Sequence, residues 1–116
     1  VITGSYVNAK AIARYIKSIK PQKVTLIPMG WAGEYMTLED QFCAEYIISL
    51  LQGRPDPHPN YLIDLYETDG KRFFDKKNQA SMPIADFYLC LQKDVFDFVL
   101  IADKTSEPVR LIKKNI

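Results

Sequence analysis

Two adjacent carboxylates, Glu39 and Asp40, follow a pair of glycines, Gly30 and Gly33, in the stretch GWAGEYMTLEDQFCAE. Carboxylates hold a hard cation such as Mg²⁺ or move a proton, and glycines let backbone N–H groups come close to an anion. A second polar stretch, GSYVN, sets the Ser5 hydroxyl and the Asn8 amide beside the start of another helical pattern, where open amides suit a phosphate. A phosphate shared by two such helix starts, with carboxylates alongside, needs a cation between the like charges, and Mg²⁺ is the usual one. Each feature also has a plainer reading. Thr37 followed three residues later by Asp40 is close to a capping box, and Glu39 places negative charge where a helix dipole favours it. Neither GxxG nor an ED pair is a specific motif on its own.

These residues need elements to position them. Ala9, Ile12, Ala13, Ile16 and Ile19 recur at helical spacing, with Asn8 as the expected N-cap and Pro21 as the stop. VTLIPM, Val24 to Met29, has the composition of a strand buried on both faces. A second helix is expected from Leu38 to about Gln52, with one ridge of Phe42, Tyr46 and Leu50, another of Cys43, Ile47 and Leu51, and Gly53 as its stop. RPDPHPN reads as an extended connector, YLIDLYE as a short helix, Pro83 as the opening of a helix to about Gln92, and DVFDFVLIA as a last strand before a charged tail. The expected fold class is α/β: a βαβα unit with a mainly parallel sheet and flanking helices. The candidate site falls beyond the carboxyl ends of the strands, where such sheets gather ligands.

Composition narrows the partners. The 116 residues fit one domain, and 15 Lys plus Arg against 14 Asp plus Glu leave no field to attract nucleic acid or anionic lipid. The apolar runs are too short to span a membrane. Cys43 and Cys90 lack CxxC spacing and read as buried free thiols of a reducing, cytoplasmic protein. The opening Val-Ile-Thr resembles the end of a strand.

Residue order adds what the single motifs lack. G-S-Y-V-N-A, a helix, a strand ending in P-M-G, then G-E, E-D-Q and C-A-E-Y-I, together with the later D-F-Y-L-C-L-Q-K-D-V-F, resemble the second half of the 2-phosphosulfolactate phosphatase family. The resemblance implies an Mg²⁺-dependent hydrolase of a small phosphorylated acid, associated with coenzyme M biosynthesis, and a chain that forms the C-terminal portion of a longer phosphatase. It implies Ser5 and Asn8 as pocket residues, Gly30 and Gly33 as loop glycines near substrate, and Glu39 or Asp40 as metal or acid–base groups. The family's first half, with an Asp-containing strand and an Arg-Ala-Thr segment, has no counterpart here. The alternative expectation is therefore a non-catalytic relative that pairs with a second copy, or with such a first half, through an exposed sheet edge.

Other residues carry less. His58, in the proline-rich connector with no visible partner, reads as exposed, and Tyr61, Tyr66, Phe73, Phe74, Phe87 and Tyr88 read as core and interface. KRFFDKK reads as a solvated face, the sharper alternative being an anion site of Lys71, Arg72, Lys76 and Lys77.

Overall fold

A computed structural model describes residues 1–116. β1 (Ile2–Thr3) leads through a 3₁₀ turn (Tyr6–Asn8) into α1 (Ala9–Ile19), followed by α2 (Leu38–Gln52), α3 (Tyr61–Glu67), α4 (Ile84–Cys90), β2 (Phe98–Asp103) and β3 (Arg110–Asn115). Two further 3₁₀ stretches, Asp69–Phe74 and Lys76–Asn78, occupy the polar region between α3 and α4. No helix is long and apolar enough to cross a membrane.

The helices form where the spacing places them. The α1 stripe turns Ala9, Ile12 and Ala13 inward. Its end is set one residue before Pro21, where Lys20 adopts φ 46° and donates its N–H to Ile16. Gly53 closes α2 at φ 66° with its N–H on Ser49, the left-handed stop expected of it. The two ridges of α2 serve two cores. Phe42 joins Tyr6, Leu65, Phe87 and Leu91, whereas Ile47 joins Ala9, Ala11, Ile12 and Val99, and Cys43 and Tyr46 touch both. Leu65 is 1% exposed, so truncating it to Ala is a cavity-forming change of about 2–5 kcal/mol.

The sheet corrects the expectation of a mainly parallel arrangement. It has three strands in the order β1-β2-β3, and both pairings are antiparallel: Ile2 opposite Ile101, and Phe98 through Asp103 opposite Asn115 through Arg110. The stretch read as a charged tail is thus the second arm of a hairpin. Val24–Met29 forms no strand. Residues 21–29 take part in no backbone–backbone hydrogen bond. Leu26 packs toward the α1–α2 core, while Ile27 (74%) and Met29 (67%) face solvent. The alternation is that of a strand, but a strand exists only where a neighbour supplies its ladder, and none is present.

Both helix N-termini are capped from a distance, which corrects the local caps read from sequence. Neither Asn8 nor Thr37 makes a side-chain cap bond. Asp94 accepts from the Lys10 N–H at 2.8 Å, and Asp69 accepts from the Leu38 N–H at 2.6 Å. A carboxylate at each terminus satisfies an open donor and meets the positive end of the dipole.

Candidate functional site

The loop before α2 is built by turn chemistry. Ala32 and Gly33, at φ 53° and 73°, are the central residues of a turn closed by the Glu34 N–H on the Trp31 carbonyl (2.9 Å). Two successive positive φ angles define a type I′ turn, which explains Gly33. Gly30, at φ 67°, has a second reason. A Cβ there would stand 2.1 Å from the Tyr35 carbonyl oxygen, whose close approach lets the Trp31 N–H donate to it at 2.7 Å.

The two adjacent carboxylates part company at the start of α2. Asp40 accepts the Gly30 N–H at 2.6 Å and so holds the loop against the helix. Glu39 turns to Arg72, which donates to Oε1 at 2.7 Å. The Arg72 guanidinium also lies 5.1 Å from the Trp31 ring centroid and 5.2 Å from that of Phe73, a stacked placement a lysine would not reproduce. Glu39 Oε2 and Arg72 Nε are both buried without a partner. One is an acceptor and the other a donor, so a water molecule, which both donates and accepts, fits the pair.

Glu39 and Arg72 line a cavity of about 220 Å³ between α2, α3 and α4. Leu65, Phe73, Phe87 and Leu91 supply its apolar wall, and Asp69 and Asp86 add carboxylates. Of the six residues singled out in the sequence, Glu39 alone lies there. Gly30 reaches it only through Asp40 and the helix start. Ser5 makes no side-chain hydrogen bond, and the Asn8 Nδ2 donates to the Phe98 carbonyl at 3.1 Å, tying α1 to β2 with its Oδ1 buried and unpaired. Neither Ser5 nor Asn8 lines the cavity beside Glu39.

A second polar group sits where the proline-rich connector crosses α2. His58 is half-buried rather than exposed: its Nε2 pairs with Glu45, and its ring stacks on Phe42 at 3.7 Å between centroids. Hydrogen bonds from His58 and Gln41 hold the Glu45 carboxyl below its ordinary range. Lys93 pairs with Asp56 and lies over Tyr61 (3.9 Å) and Tyr46 (4.5 Å). Burial raises the Asp56 carboxyl, but bonds from Lys93 and the His58 amide outweigh it and leave the group lowered. Burial, then the hydrogen bond to Asp94, pushes the Tyr46 hydroxyl up.

Arg72 and Asp69 were the residues sequence reasoning undervalued. Arg72 stood only within a basic run read as solvated, yet Lys71, Lys76 and Lys77 are exposed and unpaired while Arg72 is half-buried. Both cysteines are free as expected, with Cys43 partly buried, but Cys90 is exposed. Burial and then the nearby Asp40 push the Cys43 thiol up to about 12.

Fold and site together define a small mixed α/β chain with a carboxylate–guanidinium pair at the edge of an apolar cavity. The family profile described as 2-phosphosulpholactate phosphatase matches residues 1–105, and the chain belongs to that family. It is 36% identical over 56 residues to a probable 2-phosphosulfolactate phosphatase of Thermosynechococcus vestitus, covering 48% of this chain and 22% of the relative. Against proteins of the same description it is 42% identical over 52 residues in Synechocystis sp. (45% and 21%) and 32% over 68 residues in Gloeobacter violaceus (59% and 28%). The matched stretch is therefore under a third of each relative's length. No solved structure matches the chain.

Proposed function

We propose that the chain contributes to an Mg²⁺-dependent hydrolase of small phosphoric monoesters, as the family's name suggests, with Glu39 as its chemistry-bearing carboxylate and Asp40 as the tie that holds the loop. The observation that carries this division is the unpartnered Glu39 Oε2 beside the unpartnered Arg72 Nε, against an Asp40 engaged by the Gly30 amide.

A single orphaned carboxylate oxygen fits Mg²⁺, which takes one or two protein carboxylates and completes its shell with water and phosphate. Glu39 is the carboxylate whose free, buried oxygen the chain would offer the cation. When bound, the cation supplies charge neutralisation for the phosphoryl oxygens. The chain's own part is to fix Glu39: Arg72 holds one of its oxygens, Trp31 and Phe73 hold Arg72, and Asp69 caps the helix that carries the carboxylate. In the overall reaction water oxygen bonds to phosphorus, the P–O bond to the alcohol breaks, and the alcohol leaves with a proton.

The test separates the two carboxylates. Glu39→Gln is expected to abolish Mg²⁺-dependent phosphate release in the full polypeptide while leaving thermal stability nearly intact. Asp40→Asn is expected to lower stability more than turnover. Equal turnover in Glu39→Gln and the unaltered protein would sink the assignment.

The unpaired, alternating Val24–Met29 segment favours a second reading, a chain-pairing module that adds this segment to a second copy's sheet. Sedimentation decides it: a monomer at all concentrations would remove that reading.

A further inference from the structure

The wall of the cavity beside Glu39 carries three carboxylates (Glu39, Asp69, Asp86) and one guanidinium, Arg72, a formal net charge of −2. One divalent cation cancels that charge. Before it is cancelled, an anion such as phosphate loses water and is repelled by the wall; afterwards the repulsion is gone. Arg72 is arranged to meet such an anion. A guanidinium that uses its whole fork on a carboxylate makes two parallel N–H bonds. Here only Nη2 reaches Glu39, at 2.7 Å on Oε1, and both Arg72 Nε and Glu39 Oε2 stay buried and open. The arginine is held in that half-used state from three sides. The Trp31 and Phe73 ring centroids lie 5.1 and 5.2 Å from its guanidinium carbon, and Asn78 Nδ2 donates to its backbone carbonyl at 3.0 Å. The two side chains of the pair are 27% and 28% exposed, so a small solute reaches them from solvent.

We propose that Arg72 is this chain's phosphoryl-binding group, acting through the Nε side that Glu39 leaves open, and that the site loads in a fixed order, divalent cation first and phosphate second. Glu39 Oε2 and Arg72 Nε then divide the work: the open acceptor faces the cation and the open donor faces the anion, while the Nη2 to Oε1 bond keeps the two in register. A lysine in place of Arg72 would bring the charge without the fork or the stacking between Trp31 and Phe73. That the anion is a phosphoryl group rests on the phosphomonoesterase reading, but the residue and the order are measured by binding, without turnover.

Calorimetric titration of the full polypeptide with inorganic phosphate, with and without Mg²⁺ and at free concentrations corrected for the Mg²⁺–phosphate complex, tests both parts. Mg²⁺ is expected to raise phosphate affinity by about tenfold or more, and phosphate to raise Mg²⁺ affinity by the same factor. Arg72→Met is expected to lose about tenfold or more of the phosphate affinity, the scale of a hydrogen bond to a charged group. In the same variant Mg²⁺ alone is expected to bind as tightly as before or more tightly, because the wall has lost a positive charge. Arg72→Lys is expected to recover part of the phosphate loss, and in Glu39→Gln the gain from Mg²⁺ is expected to vanish. Equal phosphate affinity with and without Mg²⁺, no phosphate binding in either condition, or normal phosphate binding by Arg72→Met would each overturn the inference. So would a parallel loss of Mg²⁺ and phosphate affinity in Arg72→Met, the mark of a structural role, or a larger gain from Mg²⁺ for methanesulfonate than for phosphate, which would put Arg72 on a different acid group. Coupled binding of Mg²⁺ and phosphate without hydrolysis of 2-phosphosulfolactate would contradict the proposed activity alone and leave the role of Arg72 standing.

Discussion

Gly30 and Gly33 sit three residues apart in one loop with nearly the same φ, yet replacing each by alanine has different consequences. At Gly33 an added Cβ meets nothing within 4 Å, so the cost is the left-handed conformation alone, about 1–2 kcal/mol. At Gly30 the same conformational cost applies, and the Cβ also lands 2.1 Å from the Tyr35 oxygen and 2.9 Å from the Tyr35 carbonyl carbon. These are backbone atoms, so relief requires the loop to move. Moving it gives up the Trp31 to Tyr35 bond and the Gly30 N–H to Asp40 bond. The latter is a hydrogen bond to a charged group, and such bonds contribute about 1.5–3 kcal/mol. Gly30→Ala is therefore expected to cost about 2.5–5 kcal/mol, more than Gly33→Ala by about the 1.5–3 kcal/mol of the lost bond. Near 4 °C in Tm per kcal/mol, the expected losses are about 10–20 °C and about 4–8 °C. Thermal unfolding followed by circular dichroism checks the order. Equal losses would show that the Tyr35 approach and the Asp40 tie do not hold this loop in place.

Two further outcomes follow from the same physics. Asp69→Ala is expected to lose about 1–2 kcal/mol by freeing the Leu38 N–H, whereas Thr37→Val, at a buried hydroxyl with no partner, is expected to change stability by less than about 0.5 kcal/mol. Urea midpoints decide this, and a larger loss at Thr37 would restore the local cap. The Glu45 carboxyl is depressed in the folded state, so its contribution is present above its ordinary value of 4.5 and is lost as pH falls through the lower folded value. Unaltered protein is expected to lose more stability between pH 5 and pH 3 than Glu45→Gln, by a modest margin because the side chain is 36% exposed. Parallel urea midpoints for the two proteins across that range check the sign.

What was legible in the sequence was local. The stripe of α1, the two ridges of α2, the left-handed stop at Gly53 and the short helix at Tyr61 each follow from spacing or from a residue's own conformational freedom, and each is present. What failed depended on partners distant in the chain. Val24–Met29 carries strand composition, but composition does not supply a neighbour's hydrogen bonds, and Arg110–Asn115 became a strand because β2 offered it six paired positions. The caps failed for the same reason. Asn8 and Thr37 are the right residue types in the right places, yet Asp94 and Asp69, 84 and 31 residues from the amides they accept from, hold the termini. The candidate site divides along this line. Glu39 and Asp40 were visible as a pair, and the glycines as loop residues. That one carboxylate would meet Arg72 across 33 residues, and the other the Gly30 amide, required the folded chain.

The most direct test of the phosphatase account is phosphate release from 2-phosphosulfolactate by the full polypeptide, with Mg²⁺ and with chelator, beside Glu39→Gln. The account predicts release that requires Mg²⁺ and disappears in the variant. Release that persists unchanged in Glu39→Gln, or no release at all, would contradict it.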